Sequence, residues 1–261
     1  MLCDHFEHAL NRLRHQRPLV HHVTNLVTME IQANACLALG ARPMMALDPG
    51  EVEDVVSLAS ALVVNLGTPS EERIRAAALA MSRATRLGKP VVLDPVGASM
   101  TPLRSRALSQ VLAEGTPAVV RGNASEILAL AGGNPPVGVD AVDGFDNACR
   151  LAPQLARRMG AVIAVTGARD VVTDGSRTAF ITGGVAAMAR ITGTGCAASS
   201  VIGCFLAAGS EPLSAAVWGL AVMGAAASGG PDAPGSLRSH LMDNLYRMDA
   251  DQVRRKVEVD L

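Results

Sequence analysis

Aromatic residues are scarce in this chain: tryptophan, tyrosine and phenylalanine together make up 2% of its 261 residues. Hydrophobic residues nevertheless make up 49%, so the smaller apolar side chains must fill the core. A chain of this length can build one large α/β domain with a well-packed interior. Because small side chains suit close packing of helices on a sheet, we expect residues 1–261 to form a single domain.

Cysteine is also rare, with five residues and no Cys-x-x-Cys pair. An odd number at wide spacing argues against a disulfide framework and against a zinc knuckle, and it favours a reducing cytoplasm. The first residues lack the basic start and apolar stretch of a signal peptide. Two small-residue apolar segments, 195–208 and 213–227, are shorter than the about 20 residues that a membrane span needs. We therefore expect a cytoplasmic protein with no membrane partner.

A large excess of charge is absent as well, since the formal net charge is −1. Proteins that bind nucleic acid carry clustered lysine and arginine side chains on one face. The basic residues here form no long block, and Arg157–Arg158 and Arg254–Lys256 are typical of solvated helix ends. No nucleic-acid partner is expected.

Predicted strands and helices alternate along almost the whole chain. The pattern predicts strands at 18–25, 42–46, 61–67, 90–94, 117–121 and 161–166, a hairpin at 170–173 and 177–182, and helices at 4–14, 26–39, 49–60, 70–87, 101–113, 124–131, 143–159, 195–208, 213–227 and 235–248. The last of these helices completes the chain, and Gly132–Asp140 is a surface loop. This alternation is typical of a mostly parallel sheet covered on both faces. In such folds ligands bind at the carboxyl ends of the strands, where polar residues should gather.

The segment Gly193-Thr194-Gly195-Cys196 opens an apolar helix. The first backbone N–H groups of a helix have no intrahelical partner and carry the positive end of its dipole. Glycines let a ligand approach this backbone, so an anion site, most often for phosphate, is expected. Cys196 lies in the first turn, where a thiolate is stabilised. The alternative is an ordinary Gly-x-Gly turn followed by a buried, unreactive cysteine.

Two acids follow predicted strands in positions that suit a metal ion. Asp94 ends one strand and can hold Mg²⁺ through water, although a turn or cap role is the simpler interpretation. Asn123 and Glu126 are three residues apart at a helix start, which suits a hydrated metal and equally suits a capping box. Arg121 can meet a phosphate or form a surface ion pair. His21 and His22 carry no further ligand pattern, so packing is favoured over metal binding.

An acid pair and an anion-binding turn are together the parts that phosphoryl transfer needs. Two other classes of function remain open on these residues. One is acyl transfer by a Cys–His pair, with Cys196 as nucleophile and His21 or His22 as base. The other is a nucleotide-sensing or scaffold protein without turnover.

The sequence resembles the hydroxyethylthiazole kinases of the ribokinase-like superfamily. Seven stretches carry the resemblance in order along almost the whole chain: His21–Asn25, Gly40–Met45, Asn65–Thr68, Leu93–Gly97, Arg121–Glu126, Val165–Gly167 and Thr192–Cys196. The resemblance implies a three-layer αβα sandwich and transfer of the γ-phosphoryl group of ATP to the primary hydroxyl of 4-methyl-5-(2-hydroxyethyl)thiazole, a step of thiamine salvage. A related kinase for hydroxymethylpyrimidine or pyridoxal is disfavoured by Cys196 and by the Met44–Met45 pair.

The resemblance also implies roles for individual residues. Cys196 takes the place of the aspartate general base of the wider superfamily. The other implied roles are metal binding by Asp94 and Glu126, ATP binding by Arg121, Thr166, Thr194 and Gly195, and thiazole binding by Met45, Gly193, Asn25 and Gly67. It further implies Mg²⁺ as cofactor and a homotrimer with active sites at the subunit interfaces.

Overall fold

The computed structural model describes residues 2–132 and 141–260. Within these residues one nine-stranded sheet forms from β1 (Leu19–Val23), β2 (Arg42–Met44), β3 (Ala61–Asn65), β4 (Val91–Asp94), β5 (Val119–Asn123), β6 (Val162–Thr166), β7 (Asp170–Thr173), β8 (Thr178–Thr182) and β9 (Glu258–Asp260). The helices are α1 (Leu2–Gln16), α2 (Met29–Leu39), α3 (Val52–Leu58), α4 (Glu71–Arg86), α5 (Pro102–Ala113), α6 (Ala124–Ala131), α7 (Ala141–Met159), α8 (Thr194–Ala207), α9 (Pro212–Ala227), α10 (Pro234–Arg247) and α11 (Ala250–Lys256), with a 3-10 helix at Ala186–Arg190.

The sheet is mostly parallel, as the alternating pattern predicts. Its strand order is β2-β1-β3-β4-β5-β6-β7-β8-β9, with parallel pairing from β2 to β6 and antiparallel pairing from β6 to β9. The direction in which strands are added reverses at β1, between β2 and β3. A crevice opens outside the carboxyl ends of the strands at such a reversal, and ligands bind there in open α/β sheets.

Helices cover both faces of the sheet, which confirms the expected three-layer αβα sandwich. Alternate residues of β3 point to opposite faces: Ala61 and Val63 pack with α1, α2 and α8–α11, whereas Leu62 and Val64 pack with α3–α7. Both layers pack on β3, which is buried along its whole length. Its sequence is therefore a continuous apolar run from Ala61 to Val64. The small-residue helices α8 and α9 are almost entirely buried in the first layer.

Local capping explains why several helix bounds match the expectation. Ser70 accepts a hydrogen bond from the backbone N–H of Arg73 and caps α4. The bounds of α6 are those predicted, because Asn123 and Glu126 form a complete capping box and Gly132 ends the helix in the left-handed conformation.

Three expectations about elements need correction. The second helix begins at Met29 instead of Leu26, because the Asn25 side chain accepts hydrogen bonds from the N–H groups of Val27 and Thr28 and holds a turn. The chain does not finish with α10, since α11 and β9 follow it. The histidine pair His21–His22, which was expected at the end of the first strand, lies inside β1. Residues 133–140 of the predicted loop lie outside the described part of the chain.

None of the described helices has both the length and the apolar character needed to cross a membrane.

Candidate active site

The carboxyl ends of the parallel strands bring the predicted polar residues to one edge of the sheet. Asn65 and Asp94 are register partners at the ends of β3 and β4. Asn123 and Thr166 are partners at the ends of β5 and β6, since β5 runs two residues further than expected. Asn25 follows β1, and its amide Nδ2 lies 2.9 Å from Oδ1 of Asn65. The crevice at the reversal of strand order is therefore lined by amides.

The turn before α8 is built on two glycines that the neighbouring elements require. Gly193 caps the helix with φ of +90°, and a Cβ there would lie 2.7 Å from Cγ2 of Thr28. A Cβ on Gly195 would lie 2.6 Å from both terminal nitrogens of Arg121. A side chain at either position would collide, so glycine is needed for close approach at both. The Thr194 hydroxyl donates to the carbonyls of Met188 and Ile191, and its backbone N–H belongs to the first turn of α8, where such groups have no intrahelical partner.

Arg121 lies against the N-terminus of α8 and is 12% exposed. Its Nη2 donates to Oγ1 of Thr166 at 2.5 Å, and its Nη1 lies 3.6 Å from Oδ2 of Asp94. Its Nε is buried without a hydrogen-bond partner among the described residues. A guanidinium beside the positive end of a helix makes a strongly anion-attracting position. The surface ion pair considered for Arg121 is therefore wrong, because this side chain is buried at the site.

A cavity of about 750 Å³ opens at this position. The four residues predicted to bind ATP line it: Arg121, Thr166, Thr194 and Gly195. Its outer wall comprises Gly183, Gly184 and Val185 after β8, together with Leu220, Met223 and Gly224 of α9. The size lies within the range of small-molecule sites, and one end is polar and cationic while the other is apolar. This arrangement suits a nucleotide with its phosphates towards α8.

Asp94 is fully buried, and its two carboxylate oxygens differ in their surroundings. Oδ2 accepts hydrogen bonds from Nδ2 of Asn65 and from Oγ of Ser199, each at 2.9 Å. Oδ1 has no hydrogen-bond partner among the described residues. The pKa of Asp94 is raised to about 6, chiefly by burial and also by Glu126, against lowering by Arg121 and by the hydrogen bonds from Ser199 and Asn65. The turn or cap role considered for the Asp94 side chain is not what the structure shows.

Glu126 is buried beside Asp94 and completes the capping box. Its Oε2 accepts the backbone N–H of Asn123 at 2.8 Å, and its Oε1 accepts the N–H of Gly97 at 3.0 Å. No group of three or more histidine, cysteine or acidic side chains placed to hold a metal occurs in the described residues. A Mg²⁺ ion here would rely on few protein oxygens plus phosphate and water, which is its usual mode of binding. The free Oδ1 of Asp94 fits that requirement.

Cys196 is partly buried in the first turn of α8. Its Sγ lies 3.2 Å from Nδ2 of Asn65 and 3.6 Å from Nδ2 of Asn25. Burial raises the pKa of the thiol, and the Asp94 carboxylate raises it too, against smaller lowering by Thr28, Asn65 and Arg121. Burial and the Asp94 carboxylate therefore oppose the thiolate that was expected in the first turn of α8.

The paired histidines are packed and hydrogen-bonded, as favoured from the sequence. Nε2 of His21 lies 2.9 Å from the carbonyl of Ala46, and burial lowers its pKa to about 4. Nε2 of His22 lies 3.1 Å from Oγ of Ser200. Among the described residues neither ring is hydrogen-bonded to Cys196. A Cys–His acyl-transfer site therefore lacks its base.

The residues predicted to bind thiazole divide into a tight group and one outlier. A Cβ on Gly67 would lie 2.8 Å from Cβ of Asn25, and Gly193 meets the same turn through Thr28. Asn25, Gly67 and Gly193 thus surround the crevice next to Cys196. Met45 follows β2 at the same edge of the sheet and is half-buried, but it is not hydrogen-bonded to this group.

Sequence reasoning assigned no specific role to three polar residues that the structure places in or beside the site. Asn65 belongs to a quoted motif, but its central position was not foreseen. Ser199 lies one turn after Cys196 on the same face of α8, a spacing that could have identified it. Asp170 lines the cavity, and burial raises its pKa to about 6. Asp170 begins the predicted hairpin, and nothing in that position indicates that it lines a ligand cavity.

Comparisons with known proteins agree with this geometry. Proteins named hydroxyethylthiazole kinase from Granulibacter bethesdensis and Chloroflexus aggregans are 47% and 45% identical over 257 and 260 residues. The alignments cover 97% and 98% of this chain and 93% and 94% of the relatives. The chain is thus similar to them over nearly its full length.

Solved structures extend the likeness to the fold. The hydroxyethylthiazole kinase protein of Pyrococcus horikoshii is 40% identical with a TM-score of 0.90, covering 98% of both chains. The pyridoxal kinase of Staphylococcus aureus is 19% identical with a TM-score of 0.65, covering 93% of this chain and 98% of that one, and supports the ribokinase-like fold alone. The sequence model of the hydroxyethylthiazole kinase family matches residues 10–251. This chain belongs to the hydroxyethylthiazole kinase family.

Proposed function

We propose that this protein transfers the γ-phosphoryl group of ATP to the primary hydroxyl of 4-methyl-5-(2-hydroxyethyl)thiazole, as a step of thiamine salvage. The observation that carries the proposal is that a cationic cavity and a cluster of buried amides meet at the N-terminus of α8. The cavity lies beside Arg121, Thr194 and Gly195, and the amides of Asn25 and Asn65 contact Cys196 in the first turn of the same helix. Family membership supplies the identity of the alcohol.

The first part of the mechanism is the holding of the phosphates. Arg121 and the backbone N–H groups of Thr194 and Gly195 bind the transferred group, and they gain strength as charge develops on it. Thr166 holds the guanidinium through its hydroxyl at 2.5 Å. The apolar wall of α9 receives the base of the nucleotide. Fixing the reactants in this way supplies much of the acceleration, because phosphoryl transfer demands little covalent chemistry from the protein.

The second part is removal of the alcohol proton. Asn25, Gly67, Gly193 and Met45 place the thiazole so that its hydroxyl meets Cys196. The pKa of the Cys196 thiol is raised in the resting site. Only its ionised form, the thiolate, can accept the proton of the alcohol. In a loose transition state the proton leaves late, so a weak base is sufficient.

Asp94 and Glu126 are the residues that would hold Mg²⁺. The unpartnered, buried Oδ1 of Asp94 is an oxygen ligand without a competing donor among the described residues, and Glu126 lies beside it. Mg²⁺ supplies charge neutralisation on the phosphate oxygens when bound. The two side chains would hold the ion close to Arg121, whose Nη1 lies 3.6 Å from Oδ2 of Asp94.

We also propose that the enzyme is a homotrimer and that it is cytoplasmic. Residues 1–261 act as one domain in a homotrimer whose active sites lie at subunit interfaces. Leu26 and Val27, which are 57% and 64% exposed, and Met44, which is 42% exposed, follow or end strands at the site edge and support a subunit boundary near Met45. Free thiols at Cys36, Cys149 and Cys204 support a cytoplasmic location.

The direct test is ADP release from ATP and Mg²⁺ with four alcohols in parallel: hydroxyethylthiazole, hydroxymethylpyrimidine, pyridoxal and ribose. The proposal expects the highest kcat/KM with hydroxyethylthiazole. Faster turnover of the pyrimidine or of pyridoxal would overturn the substrate assignment. ADP release that no alcohol accelerates would overturn the kinase assignment itself.

A further inference from the structure

The side chain of Asn65 uses its full hydrogen-bonding capacity inside the site. Its Nδ2 donates to Oδ2 of Asp94 at 2.9 Å and to Sγ of Cys196 at 3.2 Å. Its Oδ1 accepts the N–H of Gly67 at 3.0 Å and Nδ2 of Asn25 at 2.9 Å. A primary amide offers two donor hydrogens and two acceptor lone pairs, so none is left over. One 4% exposed side chain thus contacts four residues of the proposed site.

The orientation of this amide follows from its partners. The backbone N–H of Gly67 can only donate, so the amide atom that faces it must be the oxygen. The NH₂ group then faces Asp94 and Cys196. The same argument applies to Asn25, whose oxygen accepts the N–H groups of Val27 and Thr28. Its two hydrogens are donated to Oγ1 of Thr28 at 2.7 Å and to Oδ1 of Asn65 at 2.9 Å, so its NH₂ group only contacts the sulfur, at 3.6 Å.

The donors to the sulfur of Cys196 are therefore the amide of Asn65 and the hydroxyl of Thr28. A sulfur atom that accepts these bonds directs its own hydrogen away from both donors. When the thiol ionises, the same two bonds become charge-assisted and strengthen. They oppose the two effects that disfavour the thiolate, which are burial and the carboxylate of Asp94 on β4. Arg121 on β5 is the other charged group facing the sulfur, and it also favours the thiolate.

We propose that Asn65 is a positioning residue that holds the Cys196 sulfur by donating a hydrogen bond to it and thereby stabilises the form that takes the proton of the alcohol. The second hydrogen of the same NH₂ group is donated to Oδ2 of Asp94. One amide therefore sets the distance between the Cys196 sulfur and the Asp94 carboxylate. This role rests on the proposed phosphoryl transfer. The competing explanation is that Asn65 only ties β3 to the turn after β1.

Asn65→Asp separates the two explanations, because it changes only half of the amide. An oxygen remains for the N–H of Gly67 and for Asn25, so the tie to the turn is kept. The group facing Cys196 and Asp94 changes from a donor to an acceptor. Ser199→Ala is the matched control, since Ser199 donates to the same Oδ2 of Asp94 at the same 2.9 Å. The hydrogen bonds of its side chain to Asp94 and to the carbonyl of Gly195 do not involve the sulfur.

The experiment measures alkylation of Cys196 by iodoacetamide from pH 6 to 11 without substrates, read on the Cys196 peptide by mass spectrometry. We expect Asn65→Asp to raise the alkylation midpoint by about one pH unit, since a donor to the thiolate is replaced by a negative oxygen. Ser199→Ala should move it by less than about a third of that. With ATP and thiazole present, Asn65→Asp should lower kcat about 100-fold and change both KM values far less.

An unchanged midpoint in a folded Asn65→Asp variant overturns the proposal, as does an equal shift in Ser199→Ala. If Asn65→Asp does not fold, Asn65→Ala takes its place and must raise the midpoint in the same direction. The parent protein separates this proposal from the proposed function. A parent without kinase activity contradicts the function, whereas the alkylation midpoints still decide whether Asn65 controls the sulfur.

Discussion

At the scale of single residues, the site is organised around a sulfur atom and a carboxylate that share one amide. Cys196 and Asp94 come from different elements, and Asn65 holds both. Each is deprived of water, so the pKa of each group is raised. Substrates and a metal ion would change these electrostatics, because phosphate and Mg²⁺ carry opposite charges into the same space.

Substitution of Cys196 distinguishes a base from a packing residue. A carboxylate in Cys196→Asp can accept the Asn65 amide hydrogen that now reaches the sulfur, so we expect substantial activity. Cys196→Ala should bind both substrates and lose about 10²- to 10⁴-fold in kcat, the usual contribution of a general base. The measurement is kcat with both KM values as controls. An active alanine variant beside an inactive aspartate variant would make Cys196 structural.

Neutralising the two acids tests the metal site. Asp94→Asn and Glu126→Gln each remove one negative charge from a site for a hard cation, so the Mg²⁺ concentration for half-maximal activity should rise about tenfold or more. Glu126→Gln should also cost about 1 kcal/mol, because a single amide oxygen cannot accept both backbone N–H groups. Glu71→Gln, an exposed ion-pair change, is the control. Unaltered Mg²⁺ titrations in both variants would leave the acids with structural roles only.

Asp170 gives a pH-dependent contribution to stability with a definite sign. Its folded pKa of about 6 lies above the ordinary value of 3.8 for an aspartate, so the folded state binds the proton more tightly. Stability from this group is present below about pH 4 and is lost as the pH rises to 6. Asp170→Asn removes this titration. Between pH 4 and pH 7, the free energy of unfolding of the variant relative to that of the parent should therefore rise by about 1–3 kcal/mol. Parallel stability curves for parent and variant would contradict this.

At the scale of elements, the N-terminus of α8 is the feature on which nucleotide binding depends. Gly195→Ala would place a Cβ 2.6 Å from the Arg121 guanidinium, which must then move away from the phosphate position. We expect at least a tenfold rise in KM for ATP with the fold retained. Gly235→Ala is the matched control, because nothing lies within 4 Å of the added Cβ in α10. A Gly195→Ala variant that binds ATP like the Gly235→Ala variant would remove α8 from the phosphate site.

Elements with local signals could be predicted from the sequence, and elements that depend on distant partners could not. The capping residues Asn123 and Gly132 define α6 from within its own segment. By contrast, β9 is a three-residue edge strand that pairs with β8, and its apolar–polar alternation is too short to predict a strand without that partner. The start of α2 was misplaced because the side chain of Asn25 competes for the first backbone N–H groups.

The same distinction applies to the site. That Asn25, Asp94 and Arg121 would meet followed from parallel strand order, since all three end or follow parallel strands. The pairing of Asn65 with four partners could not be foreseen, because it requires the orientation of one amide between segments 40 and 131 residues away. The raised pKa of Cys196 was missed because burial depends on the whole packing around it.

At the scale of the whole molecule, the proposed trimer makes a prediction about one edge of the sheet. Val27 is 64% exposed beside the site, so Val27→Glu should dissociate the trimer and lower activity together. Leu58 is 77% exposed at the end of α3, at the opposite edge of the sheet, and Leu58→Glu should leave the trimer intact. Light scattering with parallel assays measures both. A fully active monomer would contradict the interface site.

In the proposed reaction, the γ-phosphoryl group passes from ATP to the side-chain hydroxyl of the thiazole. Phosphorus-31 NMR of protein, ATP, Mg²⁺ and hydroxyethylthiazole follows that group directly. We expect a new phosphomonoester resonance whose intensity rises together with that of ADP and which is absent without the thiazole. Release of ADP with inorganic phosphate as the only other product, at the same rate with and without thiazole, would contradict the proposed reaction.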